Sequence, residues 1–162
     1  MLRRIHLFTL FLGLASASPS ELLPEMRLAP SEVSARAAHP TENQIGSSKL
    51  MGVQITVLFG DPSKAGFYAI LLYVPAHTKI QAHSHRDNRV ATVLSGTWHF
   101  GYGSVSTQSK LKTLPPGSIY SEPAGTNHFA RTDGTPCIVQ ISGFGPTDTA
   151  YFDSANDPSK EH

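Results

Sequence analysis

His83-Ser84-His85-Arg86-Asp87-Asn88-Arg89, running on through Val90 to Leu94 and into Ser95-Gly96, joins a histidine pair to a short apolar run and a tight turn. The i, i+2 spacing in a β-prone stretch puts both imidazoles on one face of a strand. A third histidine, His128, follows the turn-forming residues Pro123-Ala124-Gly125-Thr126-Asn127. Neutral imidazoles converging from two strands suit a divalent transition metal. Arg89 stands where a fourth, anionic ligand would be convenient.

The flanking sequence is strand and turn. Val53-Gln54-Ile55-Thr56-Val57-Leu58-Phe59 is apolar at alternate positions and ends at Gly60-Asp61-Pro62. Phe67 to Val74 is continuously apolar, which predicts a strand buried on both faces. Pro75-Ala76-His77-Thr78 turns the chain into the histidine strand. Thr97 to Gly101 is the predicted hairpin partner of Arg89–Leu94 across Ser95-Gly96. Gly103 to Lys112 reads as a polar loop and Leu114-Pro115-Pro116-Gly117 as a turn. Ser118 to Glu122, His128 to Arg131 and Cys137 to Ser142 complete the strands. Short strands separated by turns predict an all-β sandwich or barrel.

The chain has 162 residues, one domain's worth with a leader and a tail. Its net charge of +1 gives no electrostatic argument for nucleic acid or an anionic membrane. Arg3-Arg4, the apolar run Leu7 to Leu14 and Ala15-Ser16-Ala17 form the three parts of a signal peptide over residues 1–17. That run is too short to span a bilayer, so a secreted or periplasmic protein is expected. Residues 18–50, rich in Pro, Ser, Ala and Glu, read as a linker or an N-terminal arm, with a helical turn near Ser31–Ala38. Such arms often pack on a second subunit, so a homodimer is a further expectation. The remainder divides into a barrel over 51–146 and a flexible tail over 147–162. The single Cys137, set among Ile138, Val139 and Ile141, reads as a core residue.

Both histidine segments resemble the motifs of the cupins, G-x5-H-x-H-x3or4-E-x6-G and G-x5-P-x-G-x2-H-x3-N. His83-x-His85-x3-Arg89-x6-Gly96 matches the first, with Ala76 or His77 in place of the leading Gly and Arg89 in place of Glu. Gly117-x5-Pro123-x-Gly125-x2-His128 matches the second, with Thr132 in place of Asn. The resemblance covers roughly Val53 to Phe144 and implies a double-stranded β-helix, or jelly-roll, barrel. It also implies a metal held by His83, His85 and His128.

Arg89 cannot take the role of the missing Glu, because a guanidinium has no acceptor and does not deprotonate. Three arrangements follow. The site is an open three-histidine one, as in cupin thiol and diketone dioxygenases, with Arg89 leaning aside to hold an anionic substrate group. Or Asp87, Glu122 or the neutral Gln140 replaces the carboxylate. Or the pocket binds an organic ligand without metal. Tyr120 and Glu122 share one strand face, so both join Arg89 as candidate catalytic residues; packing or exposure to water is the plain alternative for each. The leading expectation is an exported, dioxygenase-like enzyme acting on a small, anionic organic substrate. Fe(II) is the first metal expected, with Mn, Zn, Ni or Cu as substitutes. The competing expectation is a non-catalytic cupin that binds a metal or small ligand.

Overall fold

The computed structural model describes residues 23–39 and 45–160; the expected leader lies outside them. Its strands are β1 (Gln54–Phe59), β2 (Gly66–Val74), β3 (Lys79–Ser84), β4 (Arg89–Ser95) and β5 (Trp98–Tyr102). They continue with β6 (Lys112–Leu114), β7 (Ile119–Glu122), β8 (His128–Thr132), β9 (Cys137–Gly145) and β10 (Ala150–Tyr151). Two antiparallel five-stranded sheets form, in the orders β1-β2-β9-β4-β7 and β10-β3-β8-β5-β6. From β2 to β5 and from β6 to β10 the chain changes sheet at each connection. That winding is the jelly-roll barrel expected from the sequence.

Alternation along each strand sends one set of side chains into the barrel. Tyr68, Ile70, Val93, Trp98, Val139 and Ile141 are each at most 2% exposed. Burying an aliphatic side chain of this size contributes roughly 1.5–3 kcal/mol. Cys137 is fully buried in this core, and its burial pushes the thiol up to about 11. β2 departs from the expectation of burial on both faces. Tyr68, Ile70, Leu72 and Val74 point inward, while Tyr73 on the opposite face is exposed. The cause is the antiparallel arrangement, which covers only one face of the sheet.

Gly96, which closes the first motif, sits at φ +74, and a Cβ there would collide with the carbonyl of Pro136. The β4–β5 turn therefore requires glycine. In the arm, Pro30–Ala37 forms a helix, α1, whose Glu32 carboxylate accepts the Ala29 N–H at 2.7 Å. Arg36 donates to the Leu58 carbonyl of β1 at 2.7 Å, which holds α1 to its own barrel.

The segment expected to be a frayed tail is in part structured. β10 pairs with β3, matching Tyr151 with His83. Thr149 donates to the Ser47 carbonyl at 2.8 Å and Tyr151 to that of Ser48 at 2.5 Å. The polarity of residues 147–151 reflects these hydrogen bonds to backbone. Together 45–49 and 147–151 roof one end of the barrel. The two segments approach so closely that a Cβ on Gly46, at φ +83, would stand 2.7 Å from Thr147 Cγ2.

Candidate metal centre

His83 and His128 lie directly opposite each other on β3 and β8. Ile80 and His83 are three residues apart yet both are buried, which a regular pleat does not allow. A register shift between them supplies the extra residue and turns His83 inward. His85 follows just beyond the end of β3. The ring centroids of the three are 4.4 to 5.1 Å apart, and one nitrogen from each lies within 4.8 Å of the other two.

Backbone carbonyls fix the tautomers. The Nδ1 of His83 bonds to the Gln81 carbonyl at 2.7 Å, that of His85 to Asp148 at 2.5 Å and that of His128 to Thr126 at 3.0 Å. A carbonyl only accepts, so each Nδ1 carries the proton and each Nε2 keeps a lone pair. The Nε2 atoms of His85 and His128 are buried with no hydrogen-bond partner. Burial, reinforced by the Arg89 guanidinium, holds His83 down at about 3 and His85 at about 2, and lowers His128 as well. All three imidazoles are neutral at pH 7, the form that binds metal. Orphaned nitrogens, fixed tautomers and neutral rings fit a divalent transition metal.

Arg89 and Glu122 are cross-strand partners on β4 and β7, both facing inward and both buried. Arg89 Nε donates to Glu122 Oε2 at 2.6 Å and its Nη2 pairs with the same oxygen. Its Nη1 donates to the Gly46 carbonyl at 3.0 Å. The guanidinium is thus engaged inside the protein and not extended toward a ligand. Glu122 Oε2 lies 3.7 Å from His85 Nε2 and 3.9 Å from His128 Nε2. Burial pushes this carboxyl up, but the Arg89 guanidinium chiefly outweighs it, and the carboxyl sits at about 2.

The other candidates divide cleanly. The Asp87 carboxylate accepts the Tyr68 hydroxyl at 2.6 Å, and Gln140 donates to Ser142 at 2.6 Å. Neither pairs with a histidine, whereas Glu122, though outside the close three-histidine group, lies within 4 Å of two of them. Tyr120 faces into the barrel, with its ring 4.2 Å from that of Phe100, which in turn stacks 5.3 Å from His128. Its hydroxyl is buried beside the Trp98 indole, and burial and Glu122 keep it protonated. Thr132 ties a turn, donating to the Pro75 carbonyl at 2.6 Å and accepting the Thr78 N–H at 3.0 Å. His99 points out of the barrel toward Thr113 and Asp133. Sequence reasoning missed Gly46, Asp148 and Tyr151, which reach the site only through the roof.

Fold and site together define a cupin-type barrel with a three-histidine centre able to hold a metal ion. No protein-family model matches the chain, and no curated protein matches it. Solved structures match in fold. The DMSP lyase DddQ from Ruegeria pomeroyi superposes at a TM-score of 0.58 and 20% identity, covering 80% of this chain and 68% of that one. The polyketide cyclase RemF from Streptomyces resistomycificus gives 0.56 and 17%, covering 67% and 76%. A protein of unknown function with a cupin-like fold from Ralstonia eutropha gives 0.51 and 22%, covering 67% and 64%.

Proposed function

We propose that the protein is an exported, metal-dependent enzyme that acts on a small organic substrate, dioxygenase-like with iron in the site. The observation that carries this reading is the set of three neutral imidazoles, tautomers fixed by backbone, whose lone pairs face one another inside a barrel. A bound divalent ion supplies Lewis acidity, and a redox-active one supplies oxygen chemistry as well. His83, His85 and His128 hold it. The buried Tyr120 hydroxyl retains its proton at neutral pH but meets the core Trp98, so no proton transfer is assigned to it. The Arg89 guanidinium is occupied by Glu122 and Gly46, so it is not assigned to a substrate anion. Export rests on the leader-like residues 1–17, and N-terminal sequencing of the secreted protein tests it.

One observation favours a second reading, a non-catalytic metal-binding protein. The histidines and Glu122 are at most 6% exposed beneath the roof of 45–49 and 147–151. Electron paramagnetic resonance of the Fe(II)–nitrosyl adduct, recorded with a panel of small organic acids, thiols and diketones, separates the two. A spectrum altered by a compound that the protein then consumes with oxygen uptake supports the enzyme. A normal adduct that no compound perturbs assigns the binding role.

A further inference from the structure

We infer that the carboxylate ligand of this site has changed strand: Glu122 of β7 binds the metal in place of the first-motif Glu, and Arg89 of β4 positions it. The inference rests on the three-histidine reading above. Its basis is the chemistry of the atoms that meet at the chamber's centre. His85 Nε2, His128 Nε2 and Glu122 Oε2 are all buried, and all are acceptors, since the imidazole protons are on Nδ1. The carboxylate oxygen stands 3.7 and 3.9 Å from the two nitrogens, too far for hydrogen bonds and with no proton between them. Lone pairs facing one another in a low-dielectric interior are unfavourable unless a cation lies among them. Arg89 engages this same Oε2 through its Nε and Nη2, so the guanidinium balances the carboxylate charge but leaves the two imidazole nitrogens without a partner. A divalent ion would satisfy the nitrogens and share Oε2 with Arg89.

The cross-strand register explains how the exchange is possible. Arg89 and Glu122 are direct partners on adjacent strands, so their side chains enter the barrel side by side. A carboxylate moved from one position to the other still reaches the same chamber. The residue left behind then has a new task, and a guanidinium suits it. It hydrogen-bonds one carboxylate oxygen, fixes the rotamer, and anchors the pair to the roof through the Gly46 carbonyl. Arg89 is therefore a positioning residue. It also changes the charge of the centre. One Arg, one Glu and three neutral histidines sum to zero, so a bound dication keeps its full charge.

The test is Co(II) titration of the metal-free full chain, followed by its visible absorption, which reports the ligands directly. Glu122→Gln removes the ligand but leaves Arg89 buried without a partner, so the double variant Arg89→Met/Glu122→Gln is measured beside it. Wild type is expected to take up Co(II), with both Gln variants weakened roughly 100-fold and altered in absorption. Arg89→Met alone is expected to retain Co(II) with a changed band pattern, because the carboxylate is no longer held. Gln variants that bind Co(II) like wild type, with the same absorption, would overturn the inference and leave the three-histidine site standing. Wild type that binds no Co(II) would overturn the three-histidine reading itself.

Discussion

Replacing Arg89 by Met tests the buried pair that organises the centre. Both side chains are nearly inaccessible, 3% exposed for Arg89 and 5% for Glu122. The Glu122 carboxyl sits at about 2 in the folded protein against 4.5 for a free carboxyl. Its folded value is the lower one, so the stabilisation is fully present above pH 4.5 and is lost as the pH falls through about 2. Removing one member of a buried ion pair costs ~3–5 kcal/mol. For a barrel of about 100 residues, a loss of roughly 3 kcal/mol lowers Tm by about 12–25 °C. Arg89→Met/Glu122→Gln removes both charges of the pair and should regain most of that loss. The assay is thermal unfolding of metal-free protein at pH 7, followed by circular dichroism. An Arg89→Met variant within about 1 kcal/mol of wild type, or a double variant no more stable than the single, would refute the reasoning.

Metal-free protein should be labile to mild acid. The buried histidines have folded values below their unfolded value of 6.5, so the unfolded chain takes up protons first as the pH falls. Stability then drops below pH 6.5 by up to roughly 1.4 kcal/mol per pH unit for each histidine; a flat urea midpoint between pH 7 and 5 would contradict this. Cys137 should resist thiol reagents in the native state and react fully in denaturant, since it is fully buried; rapid native labelling would remove it from the core. Gly46→Ala should cost roughly 1–3 kcal/mol, because φ is +83 and the new Cβ would stand 2.7 Å from Thr147. Gly134→Ala, with nothing within 4 Å, is the control expected to leave chemical-denaturation stability unchanged.

The fold and the histidine triad were legible because they depend on local spacing. His83 and His85 two apart, and His128 after a Pro-Gly turn, carry their geometry in the chain itself. The place of Glu122 was not. Alternation put it on the same face as Tyr120, but its meeting with Arg89, 33 residues away in sequence, is decided by strand register. No local pattern separated it from Asp87 or Gln140. The bulge that turns His83 inward was hidden for the same reason. So was the roof, since Gly46, Asp148 and Tyr151 lie in stretches without hydrophobic period. Their contacts use backbone carbonyls and hydroxyls, which leave no periodic trace.

Elemental analysis of the full-length protein, purified with neither added metal nor chelator, tests the metal centre most directly when His85→Ala and His128→Ala are measured alongside. The account predicts roughly one transition-metal ion per chain in wild type, and its loss from both variants while their circular dichroism remains that of a folded β protein. Folded wild type that neither contains nor takes up a transition metal, or variants that keep it in full, would contradict the account.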